Sequence, residues 1–250
     1  MPRFLFLLRG DLTKKYTGSL ISVETQQTLA GIRSDFYRLL SSAYIHIPEK
    51  RTLELNWEPA RALFRCAQKG GEEALQQIDK GLTLIGACRS ETHEVDEMDL
   101  TNLSRDWTRL FRGVEKKGIL PPYESLYRTG KLQEKPSREI HRLFSQMGIR
   151  VPDEWHQPPD YIGVELDFMR LLCSKELEAY EKQGANILRE TLHAEQSFVE
   201  NHLGVWVPQF CEKMFLEAEE GYFRGVAHLT VGLIGYDRIH IKNRVSGVTS

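Results

Sequence analysis

Two carboxylates set among apolar residues are the first feature of this sequence that could do chemistry. The segment PPDYIGVELDFM, residues 158–169, begins with two prolines and an aspartate, and it places Glu165 and Asp167 in the apolar run that follows. On an α-helix, residues two apart point about 200° away from each other, so these carboxylates cannot act as one acid–base pair. Asp167 is expected on a solvated face, with an i, i+3 pair to Arg170.

Glu165 falls on the apolar stripe of the same helix, where a charge costs free energy unless it is paired or hydrogen-bonded. We therefore expect it to pair with an internal arginine or to accept hydrogen bonds from the backbone of a neighbouring segment. Both arrangements are commonly structural, so a structural role for Glu165 is preferred to a ligand-binding one.

A second acidic segment also follows two prolines. PPYESLYR, residues 121–128, places Glu124 after a stiff, extended entry and spaces Tyr123 and Tyr127 four residues apart, on one face of a helix. The tyrosines predict either a rigid corner packed by two aromatic rings or the wall of a binding groove. Periodicity does not separate these two interpretations.

The common catalytic motifs are absent from the sequence. It contains no P-loop, dinucleotide-binding fingerprint, HExxH helix or GxSxG elbow. Its eight histidines form no pair at i, i+4, and its four cysteines form no CxxC pair. We therefore predict reduced thiols, no metal, no cofactor and no enzymatic activity; a hydrolase with an unrecognised helical site is the weaker alternative.

The net charge and the apolar runs of the chain indicate which kinds of partner it can bind. A net charge of -2 over 250 residues gives no bulk attraction to nucleic acid or to an anionic membrane. The apolar run in RFLFLLRG near the N-terminus is too short for a secretory signal, and no apolar stretch is long enough to span a membrane. We expect a cytoplasmic protein without membrane insertion. Residues 1–21 are expected to form a flexible N-terminal arm, or to result from a start codon upstream of the natural one.

The elements that must position the acidic segments are helices. Apolar residues recur at steps of three and four along most of the chain, with glycine and proline at the ends of the runs, and no alternating strand pattern occurs. We predict an all-α fold: a single globular bundle of about eight or nine helices over residues 22–235, with a C-terminal tail at 236–250. Two proline-rich loops, at 113–136 and 149–160, interrupt its middle.

Three local signals set expected helix boundaries. Asp160 is expected to cap the helix that runs on through Tyr180, since aspartate is a favoured N-cap. Gly204 and Gly221 are expected to stop helices, with a new helix starting at Pro208.

Five segments, in the same order along the chain, resemble the TorD/DmsD family of chaperones for molybdenum-dependent oxidoreductases. They are LSRDWTRLFRG, GILPPYESLYR, PPDYIGVELDFM, FVENHLGVWVPQFCEKM and YFRGVAHLT, within residues 28–235. The likeness is greatest to the branch that serves type II dimethyl sulfoxide reductases. Many family members carry His after PPD, where this chain has Tyr161.

The resemblance implies an all-helical cytoplasmic chaperone that is not an enzyme. It would bind the apo catalytic subunit of a molybdopterin-dependent oxidoreductase, including its twin-arginine leader, and hold it for cofactor insertion before export. Carried over by position, the client-binding candidates are Tyr123, Glu124, Pro158, Pro159, Asp160, Tyr161 and Glu165.

A leader of this kind offers two guanidinium groups and an apolar stretch. We expect Asp160 and Glu124 to bind the guanidinium groups, beside a groove lined by aromatic and apolar side chains: Tyr123, Tyr127, Trp155, Tyr161 and Ile162. The alternative is a helical adaptor without leader recognition. Both a monomer and a domain-swapped dimer fit the pattern.

Overall fold

The computed structural model describes residues 22–53, 57–66, 71–88, 97–113, 119–149 and 157–248. Over these residues the fold is all-α, which confirms the predicted class. Extended pairing within the described ranges is limited to one antiparallel bridge, between Tyr123 and Tyr161. None of the described helices has the length and apolar character that crossing a membrane requires. The predicted arm at residues 1–21 and Trp155 lie outside the described residues.

The helices of the described residues follow one another in chain order. They are α1 (Val23–Ile45), α2 (Lys50–Leu53), α3 (Glu58–Cys66), α4 (Glu72–Ala87), α5 (Glu97–Arg112), α6 (Glu124–Thr129), α7 (Lys135–Gln146), α8 (Ile162–Glu181), α9 (Ala185–Phe198), α10 (Gly204–Glu217) and α11 (Gly221–Val248), with a π-helical turn, Val199–Leu203, between α9 and α10. The short helices α2 and α6 were not predicted as separate elements.

Two long helix pairs form the centre of the fold: α1 packs along α8, and α4 packs along α11. The second pair approaches closely at two glycines, since a Cβ added to Gly81 would lie 2.8 Å from the carbonyl oxygen of Gly225. A side chain at either position would push the helices apart. Helices α9 and α10 also pack against α11, which therefore contacts α4, α9 and α10.

Helix α1 shows how the sequence pattern becomes a buried face. The Ser22 hydroxyl accepts a hydrogen bond from the backbone N–H of Thr25 at 3.3 Å and caps the helix. The predicted apolar stripe is confirmed, with Leu29, Phe36 and Leu40 fully buried. These residues recur at intervals of seven and four and therefore share one side of the helix.

The π-helical turn corrects a predicted boundary. Gly204 does not stop a helix: its N–H donates to the carbonyl oxygen of Val199, five residues earlier, and the helix continues to Glu217. Pro208 therefore lies inside α10 instead of starting it. A π turn inserts one residue into a helix without breaking it, which the glycine signal alone does not reveal.

Helix α11 corrects the predicted C-terminal tail. The helix runs past residue 235 to Val248, and Asp237, His240 and Ile241 are buried. Residues 236–248 are thus part of the packed helix, because their buried side chains contact the rest of the bundle.

Candidate functional site

The two proline-rich turns that the sequence singled out dock on each other. The backbone N–H of Glu124 donates to the carbonyl oxygen of Asp160 at 2.9 Å, and the N–H of Ile162 donates to the carbonyl oxygen of Pro122 at 3.0 Å. These two bonds flank the bridge between the turns. The starts of α6 and α8 are therefore held together as one unit.

Asp160 caps a neighbouring helix instead of its own. Its side chain is fully buried, and Oδ2 accepts a hydrogen bond from the backbone N–H of Ser125 at 3.1 Å, in the first turn of α6. The N-cap residue of α6, Tyr123, makes no side-chain capping bond. The N-cap position of α8 is Tyr161, so the prediction that Asp160 caps the helix through Tyr180 was wrong.

The rings of Tyr123 and Tyr161 pack against each other between the turns, with their centroids 5.3 Å apart and their planes tilted by 53°. Tyr161 is buried, and its hydroxyl donates to the carbonyl oxygen of Tyr44 in α1. Burial raises the pKa of Tyr161, so the hydroxyl stays protonated. Tyr123 is half-buried, and its hydroxyl donates to Oε1 of Gln157 at 2.9 Å.

Tyr127 has different neighbours from Tyr123. Its ring centroid lies 5.3 Å from that of Trp206 and 5.9 Å from that of Phe210, both on α10, and Nζ of Lys213 lies 5.5 Å from the ring centroid. The two tyrosines therefore pack against different elements. This arrangement matches the rigid corner rather than one shared groove wall.

Glu124 ties α6 to the π-helical turn. It is fully buried; Oε1 accepts a hydrogen bond from Nη1 of Arg128, and Oε2 accepts one from Nδ1 of His202 at 2.9 Å. The same Arg128 nitrogen donates to the carbonyl oxygen of Asn201 at 3.3 Å. The carboxylate is paired on both oxygens, as a buried charge requires.

Glu165 has a partner that the sequence did not suggest. It is fully buried, and Oε2 accepts a hydrogen bond from Nε1 of Trp206 at 3.2 Å. Burial raises the pKa of Glu165 well above its ordinary value, and the nearby carboxylate of Glu124 raises it further. Among the described residues, neither predicted partner, an internal arginine or backbone N–H groups, hydrogen-bonds to the side chain of Glu165. Burial disfavours the charged form of this carboxyl group, which reduces its need for a counter-charge.

The neighbouring acid on the same helix follows its prediction in part. Asp167 forms the expected i, i+3 ion pair with Arg170. Its side chain is nevertheless buried instead of lying on a solvated face.

The predicted client-binding residues fall into two groups by exposure. Four have buried side chains: Glu124, Asp160, Tyr161 and Glu165. The other four are half-buried and present part of their surface: Tyr123, Tyr127, Pro158 and Pro159. Ile162 is fully buried and lines no surface groove.

An open groove lies beside the second of the two turns. Its volume is about 380 Å³, and it is lined by Gln133, Ser137, Arg138, His141, Pro158 and Pro159. One wall is therefore the pair of prolines, and the other is the exposed side of α7. The lining carries apolar surface and a guanidinium, and it includes no carboxylate.

A second buried charge cluster, which the sequence analysis missed, lies among α1, α8, α9 and α11. Arg33 is fully buried and donates to Glu176 at 2.8 Å, to Glu195 at 2.6 Å and to Asp237 at 2.8 Å. Arg244 pairs with the other oxygen of Glu176 at 2.8 Å. Burial raises the pKa of Glu195 to about 8, although Arg33 opposes the shift.

The signal for this cluster was in the sequence. Arg33 lies on the apolar stripe of α1, between Leu29 and Phe36, where an unpaired guanidinium is not tolerated. The described residues contain no group of three or more His, Cys, Asp or Glu side chains arranged to hold a metal ion.

Comparison with known proteins gives matches over the region that contains both turns. The family model described as "Nitrate reductase delta subunit" matches residues 65–212. The protein named "Chaperone protein TorD" from Vibrio parahaemolyticus serotype O3:K6 (strain RIMD 2210633) is 33% identical over 143 residues, which is 56% of this chain and 64% of that protein. The protein of the same name from Vibrio atlanticus (strain LGP32) is 30% identical over 153 residues, 60% of this chain and 67% of that protein.

A longer match extends over most of the chain. The protein named "Chaperone protein TorD" from Aliivibrio salmonicida (strain LFI1238) is 25% identical over 208 residues, which is 82% of this chain and 92% of that protein. The matches to the two Vibrio proteins span about two thirds of their lengths. The family model covers more than half of the chain, and the matched residues include both docked turns. The chain therefore belongs to the TorD-like family of chaperones, whose family model is described as "Nitrate reductase delta subunit".

Proposed function

We propose that this protein is a cytoplasmic chaperone that binds the apo catalytic subunit of a molybdopterin-dependent oxidoreductase and holds it until the cofactor is inserted. Membership of the TorD-like family supports this proposal. The chaperone contributes binding and release, and it needs no catalytic residue of its own.

The observation that carries the proposal is the docked pair of turns. Backbone hydrogen bonds and the buried carboxylates of Glu124 and Asp160 fix both turns before any partner arrives. Tyr123 and the prolines of the second turn are thereby presented at the surface in one conformation. A preformed surface loses little conformational entropy on binding, so a small contact area can give useful affinity and still permit release.

The client, in this proposal, is a catalytic subunit of the type II dimethyl sulfoxide reductase group. Its twin-arginine leader would bind through the apolar stretch that follows the arginines, along Pro158 and Pro159. The carboxylates first considered for the arginines, Glu124 and Asp160, are both buried. Glu124 is paired on both oxygens, and Oδ2 of Asp160 accepts the hydrogen bond from the N–H of Ser125. They would become available to a guanidinium group only if the two turns separated.

The experiment is co-expression of the chain with a tagged apo catalytic subunit of this group, followed by affinity capture. Exposed residues of the groove are replaced in the variant Arg138→Glu/His141→Glu, and a matched control, Arg142→Glu/Gln146→Glu, changes exposed residues of the same helix outside the groove. We expect the groove variant to lose the client and the control to retain it, because carboxylates beside the prolines are strongly hydrated and oppose an apolar contact.

Three outcomes decide between the proposals. Equal retention by the two variants would remove the groove from the binding site. Equal retention of a client without its leader would favour the helical adaptor. Failure of the wild-type chain to retain any apo catalytic subunit of this group would contradict the chaperone proposal itself.

A further inference from the structure

Helix α10 leaves an apolar face uncovered among the described residues. Val205, Pro208 and Leu216 are exposed, and Leu216 exposes 71% of its surface. Phe215 exposes 36% of its surface, and its ring packs edge-on against His228 of α11 with the centroids 4.9 Å apart. The spacing of these four apolar residues of α10 places them on one side of the helix, together with Glu212. Single exposed apolar residues are ordinary, but four on one helical face are the pattern of a helix that packs against another segment. These five residues are called the α10 face below.

Charges of both signs lie on and around the α10 face. Two cations lie beside it: Nζ of Lys213 on α10 is 5.5 Å from the ring centroid of Tyr127, and the side chain of Arg238 on α11 lies beside Gly204. Glu200, Glu212, Glu217 and Glu219 are exposed along the helix and at its two ends. Glu217 and Glu219 share one cation, Arg109, at 3.9 and 3.6 Å. Glu200 and Glu212 form no ion pair with another described residue. A segment that carries both apolar side chains and cations would complement this face.

The chain itself contains such a segment near its N-terminus. Residues 3–9 read RFLFLLR, which is five apolar residues between Arg3 and Arg9, and Lys14 and Lys15 follow. Val205 and Leu216 are eleven residues apart, or about 16 Å along a helix. Seven residues in extended conformation span about 20 Å, so this segment is long enough to cover the face.

The start of α1 lies close enough for this contact. Gln26, in the first turns of α1, accepts a hydrogen bond from Arg244 of α11 at 2.7 Å. Arg238 is six residues earlier on α11, about 9 Å along the helix. Its side chain lies at the start of α10, 3.6 Å from where a Cβ on Gly204 would be. A linker of residues 10–22 spans up to about 45 Å, which exceeds the separation that these contacts allow.

We propose that residues 3–9 of this chain bind along the α10 face. The phenylalanines and leucines cover the exposed apolar side chains, and the arginines approach Glu200 and Glu212.

The contact is tested without any client. A photo-cross-linking residue, p-benzoylphenylalanine, replaces Leu216 in the full chain, and the irradiated monomer is digested and mapped by mass spectrometry. A control places the same residue at Phe64, an exposed aromatic position on α3. We expect adducts between position 216 and residues 3–9 within one chain, and none of these adducts from position 64.

Sequence changes in the segment give the second measurement. Leu5→Asp/Leu7→Asp places charge in the apolar run, whereas Thr17→Asp/Ser19→Asp adds the same charge to the linker. We expect the first pair to abolish the adducts at position 216 and the second pair to leave them. Adducts to a second copy of the chain, adducts elsewhere in the same chain, or equal yields from the two pairs would overturn the proposal.

Discussion

Asp160 caps a helix to which it does not belong: its Oδ2 accepts a hydrogen bond from the backbone N–H of Ser125 at 3.1 Å, although 35 positions separate the two residues. Helix α6 has six residues, too few to be stable alone. Its first turn therefore depends on a carboxylate that comes from the other proline-rich turn. This relationship makes the two turns one mechanical unit.

The first prediction concerns that unit. Asp160→Ala should lower the free energy of unfolding by about 1 to 2 kcal/mol, because the N–H of Ser125 loses its acceptor in a buried position. Asp160→Asn keeps an acceptor oxygen and should lose less. Urea unfolding measures both. Equal losses from the two variants would show that the cap contributes nothing.

The second prediction compares two arginines of α1. Arg33→Met should lower the free energy of unfolding by about 3 to 5 kcal/mol, because the buried acidic groups of Glu176, Glu195 and Asp237 lose the guanidinium that donates hydrogen bonds to all three. Arg38 forms an exposed pair with Asp35 at 3.2 Å, and Arg38→Met should change stability by less than about 1 kcal/mol. Similar losses of unfolding free energy in the two variants would show that the buried ion pairs of Arg33 stabilise the fold no more than an exposed ion pair does.

The third prediction concerns pH. Burial raises the pKa of Glu195 to about 8 in the folded chain, from an ordinary value of 4.5. Between these values the folded chain holds a proton that the unfolded chain has lost, so stability falls as pH rises through this interval. Glu195→Gln removes that titration and should flatten the stability–pH curve between about pH 4.5 and 8.

The measurement is urea unfolding of the wild type and of Glu195→Gln at several pH values in that interval. Some slope should remain in the variant, because the raised pKa of Glu165 acts in the same direction. Parallel curves for the two proteins would show that Glu195 is already ionised at pH 5.

The fourth prediction tests the bond between Trp206 and Glu165 with a double-mutant cycle. Trp206→Phe should cost more stability in the wild type than in a Glu165→Leu background, with a coupling of about 0.5 to 3 kcal/mol. Trp107→Phe provides the control, since its indole donates to the carbonyl oxygen of Ala43 at 3.2 Å. A coupling between Trp107 and Glu165 as large as that of Trp206 would make the effect non-specific.

Local pattern predicted the helices well, since their apolar stripes repeat within a few residues. The stripe of α1 and the pair between Asp167 and Arg170 depend on neighbours three to seven positions away, and both were confirmed. The all-α class rests on the same short-range periodicity.

The site depended on contacts that no local pattern contains. Trp206 lies 41 positions from Glu165, and the sequence offers no rule that selects an indole over an arginine as its partner. Gly204 predicted the end of a helix, but the helix continues through it because of the π turn. Arg33 could have been found, because the argument applied to Glu165 on its apolar stripe holds equally for an arginine on the stripe of α1.

The π-helical turn has a consequence for how this family can vary in length. One inserted residue rotates everything downstream of it by about 100° relative to the preceding helix. Upstream, Glu195 faces Arg33; downstream, Trp206 faces Glu165. Deleting a single residue between Phe198 and Gly204 would leave a regular α-helix. Such a helix can place Glu195 against Arg33 or Trp206 against Glu165, but not both. Natural deletions should therefore be tolerated in the surface connections and excluded from this helix.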